Sequence, residues 1–156
     1  MRDDDSVPGR ATAARSRWMS VLALASRDDL ERGWESLAVR PGYRRLRGPE
    51  VGLVMVRARA GGTGTRFNLG EMTVTRCSVE LDDGTLGHAY AGGRDPRHAE
   101  LCAVFDALLQ GAETTELLQQ TLVEPLARGQ HARRQAAAAR AAASRVEFFT
   151  MVRGED

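Results

Sequence analysis

The sequence predicts an α+β fold: an antiparallel sheet of about four strands with flanking helices and a C-terminal helical arm. Apolar residues recur at helical spacing up to Leu37, the period changes to strand-like alternation between Leu46 and Tyr90, and a capped helical stripe returns after Asp95-Pro96. With 156 residues, 42% of them hydrophobic, the chain is long enough for one core and too short for two. One domain with appendages is therefore expected.

Residues 1–13, with Asp3-Asp4-Asp5 ahead of Pro8-Gly9, lack apolar periodicity and read as a disordered lead, with structure beginning near Arg15. The α+β domain is expected over 14–126. Trp18, Val21, Leu22 and Ala25 share a helix face. Ser26 and Asp29 then form a capping-box pattern that restarts a helix carrying Leu30, Trp34 and Leu37, which Pro41-Gly42 stops. A Gly48-Pro49 turn is expected between Leu46 and the apolar run from Val51 to Ala58. Met72, Val74, Cys77, Val79 and Leu81 lead into an Asp82-Asp83-Gly84 turn and a strand from Leu86 to Tyr90. Setting Val74 against Thr73 and Thr75 gives one packed sheet face and one wetter face, with helices over one side.

Asp95 caps a helix with Pro96 at its first position and Leu101, Val104, Phe105, Leu108 and Leu109 along its stripe. Gly111 ends that helix, and a shorter one bearing Leu117, Leu118 and Leu122 is expected to run up to Pro125. Residues 127–156 form the arm. Its helix, Arg128 to Ser144, is almost entirely Ala, Arg and Gln, without one large apolar side chain to anchor it. The apolar cluster Val146, Phe148, Phe149, Met151 and Val152 follows, so the arm docks on a partner or folds back on its own sheet.

Composition excludes several chemistries. All 22 basic residues are Arg, so Schiff-base and phosphate-loop lysine mechanisms are unavailable to this chain. A net charge of +1 with 5% aromatics argues against a nucleic-acid binder. Neither a signal peptide nor an apolar run of membrane-spanning length stands out, so a cytoplasmic protein without membrane contact is expected. Two cysteines, Cys77 and Cys102, are too few for a disulfide framework or an iron-sulfur cluster within one chain.

Arginine offers planar, bidentate donors for phosphates and carboxylates. Gly61-Gly62-Thr63-Gly64, flanked by Arg59 and Arg66, reads either as an anion cradle or as a plain hairpin loop. Arg94, at the mouth of the helix starting near Pro96, either holds an anion or pairs with Asp95 or Glu100. His98 and Cys102 lie one helical turn apart and read mainly as core residues. A zinc site would have to recruit Cys77 and His88, and a nucleophile pair would lack an orienting group. Glu71, Asp82 and Asp83 show no spacing that sets up a catalytic pair, so no catalytic residue and no metal site are assigned.

Five blocks carry a family resemblance. They are Arg17-Trp18-Met19-Ser20-Val21-Leu22-Ala23; Gly61-Gly62-Thr63-Gly64 with Arg66-Phe67; Asp83-Gly84-Thr85-Leu86-Gly87; Gly93-Arg94-Asp95 with His98-Ala99-Glu100 and Cys102-Ala103; and Ser144 to Gly154. In order and over nearly the whole chain they resemble the PhnG family, the G component of the carbon-phosphorus (C-P) lyase core complex. The resemblance implies a bacterial cytosolic subunit that works with the H, I and J subunits of C-P lyase and ATP-binding-cassette accessory proteins, and with a second copy of itself. The assembled synthase uses ATP as substrate, and methylphosphonate displaces adenine from its ribose to give ribose 1-methylphosphonate 5-triphosphate. The catalytic centre is expected mainly on the I component, with no cofactor in this chain. Arg59, Gly62, Thr63, Gly64, Arg66 and Arg94 are the candidates for phosphate. Trp18, Arg145, Phe148, Phe149, Met151 and Arg153 are the candidates for partner contact. The competing reading is an independent small anion- or nucleotide-binding enzyme.

Overall fold

The computed structural model describes residues 9–59 and 64–143. The chain runs α1 (Arg10–Ala23), α2 (Arg27–Glu35), β1 (Tyr43–Arg59), β2 (Arg66–Leu81), β3 (Leu86–Gly92), α3 (Pro96–Leu108), α4 (Ala112–Leu118), a π-helical stretch (Gln119–Val123) and α5 (Glu124–Ala143). Its α+β class is as expected, and the antiparallel meander β1-β2-β3 has three strands.

The expected turn at Gly48-Pro49 is instead a bulge within one long strand. The β1–β2 register slips between Arg45 and Arg47 and again between Arg47 and Glu50, so β1 carries an extra residue at each place. β1 lies at the sheet edge. There a proline without an N–H and a glycine without a side chain can be looped out at little cost to the ladder. Helix α1 starts at Arg10, so residues 10–13 of the expected lead are helical. Pro125 lies inside continuous helix rather than ending one. The wider π turn just before it relieves the clash of its ring with the preceding carbonyls.

Helix α3 is the centre of the molecule. Every residue from His98 to Leu108 is buried, as befits a helix with the sheet on one side and α1 and α2 on the others. Gly87 lets α3 sit directly on β3, since a Cβ there would lie 1.9 Å from the Ala103 carbonyl oxygen. On β2 the covered face carries Thr75, Cys77, Val79 and Leu81. Thr75 therefore faces inward, contrary to the expected alternation, because its hydroxyl donates to the Gly93 carbonyl at 2.8 Å and so enters the core satisfied. Ser26 makes the expected cap, accepting from the Asp29 N–H at 3.1 Å.

Two buried carboxylates tie the layers together. Asp106 of α3, fully buried, accepts from Arg15 Nε (3.1 Å) and Nη2 (2.7 Å), from Trp18 Nε1 (2.9 Å) and from the His88 backbone N–H (2.9 Å). Glu100, on another face of α3, accepts from Arg45 Nε (2.7 Å) and Nη2 (3.1 Å) and from the Tyr43 hydroxyl (2.9 Å), with Arg97 Nη1 3.7 Å away. Among the described residues no helix is long and apolar enough to cross a membrane.

Asp106→Ala should cost about 3 kcal/mol in urea unfolding, because it strands an indole N–H, a backbone N–H and a half-covered guanidinium. A loss under about 1 kcal/mol would show that the cluster carries little. Burial would raise the Glu100 carboxyl, but Arg45, Tyr43 and Arg97 outweigh it and hold the group below its usual 4.5. Its stabilisation is thus complete above that value and lost as pH falls through the lower folded-state value. Glu100→Gln should lower Tm at neutral pH and flatten the fall in Tm between neutral pH and pH 4.5 and below; an unchanged acid limb would count against this assignment.

Candidate functional site

β3 pairs only with Val74 to Glu80 of β2, so the far half of the β1–β2 hairpin extends beyond the helix layer as a two-stranded ribbon. Direct partners share a face, which places Val51, Leu53 and Met55 on the side of Thr75, Thr73 and Glu71. That is the side the helices cover further down. On the ribbon nothing among the described residues covers it, and Leu53 is 61% exposed. Leu69, at a bulge of β2, is exposed as well, and so are Phe67 and Met72 on the opposite face, beside Ala58 and Val54. An isolated hairpin is marginally stable in water, and contiguous apolar exposure of this kind marks an interaction surface.

Three guanidinium groups stand at the end of the ribbon. Arg59 is the direct partner of Arg66, and Arg57, two residues before Arg59, projects to the same side opposite Asn68. Like charges directly opposite on a sheet repel. Among the described residues none of the three meets a carboxylate; Arg59 Nη1 only donates to the Gly64 carbonyl at 3.4 Å. Several arginines of the body, by contrast, are neutralised: Arg76 lies 2.9 Å from Glu50, Arg97 2.9 Å from Glu31, and hydrogen bonding to that glutamate raises the Arg97 pKa.

Arg59, Gly64 and Arg66 are therefore brought together, while Gly62 and Thr63 lie outside the described residues. Arg94 is elsewhere. It follows Gly93, whose N–H donates to Thr73, seven strand positions and about 23 Å from Arg66. It is exposed and in no ion pair among the described residues; Arg27 stands near Asp95, and Arg45 and Arg97 approach Glu100. Trp18 is no surface anchor, since its ring is buried in the core where its N–H meets Asp106. Arg145, Phe148, Phe149, Met151 and Arg153 lie outside the described residues. Arg57 escaped sequence reasoning because the loop glycines drew attention to their immediate neighbours; its signal was the spacing Arg57-Ala58-Arg59 on a strand.

The His98 and Cys102 pair has a structural task. His98 Nε2–H and the Cys102 thiol both donate to the Leu22 carbonyl at 3.3 Å, closing the C-terminal end of α1. Burial pushes the Cys102 thiol up to about 12, which makes it a poor nucleophile. Cys77 is also raised by burial and donates to the Arg47 carbonyl, and His88 Nδ1 lies 3.0 Å from Ser78 Oγ. No cluster of metal-ligating side chains exists among the described residues.

The family model for phosphonate metabolism protein PhnG matches residues 13–154. The chain is also 44% identical over 144 residues to alpha-D-ribose 1-methylphosphonate 5-triphosphate synthase subunit PhnG of Rhizobium meliloti (strain 1021), covering 92% of this chain and 92% of that protein.

If the ribbon tip holds repelling charges for a purpose other than folding, Arg66→Glu should stabilise the isolated chain by about 0.2–1 kcal/mol through a new cross-strand ion pair with Arg59. A lower Tm for this variant would show that the arginine pair is not strained.

Proposed function

Because the chain belongs to the PhnG family of phosphonate metabolism proteins, we propose that it acts in the cytoplasm as one subunit of ribose 1-methylphosphonate 5-triphosphate synthase, within the carbon-phosphorus lyase core complex. Its partners are the H, I and J subunits, with ATP-binding-cassette accessory proteins. In the assembled enzyme a methylphosphonate oxygen bonds to the anomeric carbon of ATP while the bond to adenine breaks, and adenine leaves with the electron pair.

The ribbon carries this reading. Its apolar flank is a surface to be buried against another subunit, and its arginine tip supplies what a triphosphate and a phosphonate require of their site. The displacement needs charge stabilisation more than a protein nucleophile. The two carboxylates buried among the described residues, Asp106 and Glu100, are already engaged by donors, so neither serves as a free acid or base. Arg57, Arg59 and Arg66 thus lend positive charge to a site whose reacting groups stand on another subunit.

Arg66→Ala, purified within the assembled complex, should reduce adenine release from ATP about tenfold or more while the mass of the complex stays unchanged. Release at the wild-type rate would sink the phosphate role. Adenine release by the lone chain would replace the subunit reading with that of an independent enzyme.

A further inference from the structure

β3 forms the second edge of the sheet, and two main-chain groups of that edge are already taken. Asp106 takes the His88 N–H, and Gln110 Nε2 donates to the Leu86 carbonyl at 2.8 Å. Both groups belong to even-numbered residues, so antiparallel alternation turns further groups, among them the His88 carbonyl and the N–H and carbonyl of Tyr90, to the same side. Among the described residues nothing bonds to them. They border a cleft of about 410 Å³ between β3 and α1, floored by Cys102 and walled by Met19, Leu22 and Ala89. An unpaired strand edge beside an apolar cleft is a template for one more strand.

The chain carries a segment of suitable chemistry. Val146-Glu147-Phe148-Phe149-Thr150-Met151-Val152 is rich in β-branched and aromatic residues, and an aromatic ring suits a cleft lined by a methionine and small side chains. Where α5 ends decides whose edge it meets. Gln130, whose side chain donates to the Val21 carbonyl, is the last buried residue of α5, and residues 131–143 are exposed. The helix therefore projects about 20 Å beyond the body. Retracing that distance in extended chain takes about six residues, which consumes 144–149 and keeps both phenylalanines from their own β3. On another molecule the helix delivers the segment directly.

We propose that residues 145–153 add as a strand to the free edge of β3 in a second copy of this chain, with a phenylalanine in the cleft beside α1. The exchange is reciprocal, giving a two-fold dimer in which each α5 bridges the two bodies.

Light scattering on the full chain, on the chain ending at Ala143, and on Tyr90→Pro tests this. Proline at 90 removes an N–H that points away from β2, together with a side chain that lines the cleft, and leaves the β2–β3 hydrogen bonds in place, so the sheet survives, which circular dichroism verifies. The full chain should be dimeric, and each variant should weaken dimerisation at least tenfold. An equimolar mixture of the two variants should restore a one-to-one dimer, because one supplies the edge and the other the segment. A dimeric truncated chain, a mixture that stays monomeric, or a monomeric full chain would each overturn the proposal. In the last case, binding of a 145–153 peptide only to the truncated chain would indicate docking within one molecule instead.

Discussion

A carboxylate buried in the middle of a helix must be met by donors, and the position of Asp106 dictates where two other elements lie. Arg15 and Trp18 bring α1 against α3, and the His88 N–H brings the edge of β3 to the same point. Gly87, the residue before it, allows the close approach that the last of these bonds needs. The apolar residues around the cluster stabilise whatever arrangement excludes water, but the geometry of four donors around one carboxylate admits far fewer. Glu100 acts similarly on another face of α3, fastening β1 through Arg45 and Tyr43, whose ring meets Trp34 of α2 edge-on at 6.0 Å.

The distribution of arginine follows from this. Within the body the guanidinium groups that hold elements together have a carboxylate to answer to, as Arg15, Arg45, Arg76 and Arg97 do. At the ribbon tip Arg57, Arg59 and Arg66 answer to one another and repel. A hairpin that carries apolar residues and like charges away from its own core is poorly designed for an isolated protein and well suited to a subunit. In the proposed assembly the apolar flank and the charges find their counterparts, and so does the exposed edge of β3 on the other side of the sheet.

Much of the fold was legible in the residues. The capping box at Ser26 and Asp29, the Asp95-Pro96 helix start and the Asp82-Asp83-Gly84 turn are local signals, and each sits where its chemistry requires. Gly48-Pro49 and Pro125 were misread because a breaker's effect depends on surroundings. On an edge strand the pair makes a bulge, and after a π turn the proline fits within a helix. Thr75 misled for a related reason: its polarity suggests solvent, yet the Gly93 carbonyl waits for it inside. Arg59 and Arg66 could be suspected from their flanking of a glycine loop, whereas their separation from Arg94 could not.

The α+β class, the helix caps, the absence of lysine chemistry and the family could all be read from the residues, because they rest on residue identity, short-range spacing and block order. The tertiary structure alone decided that Asp106 and Glu100 organise the core, that Trp18 is internal, and that His98 and Cys102 close a helix end. It also showed that the hairpin outruns its helices. Each of these depends on which residues distant in the chain meet in space, and on how far one element extends past another, neither of which a local pattern records.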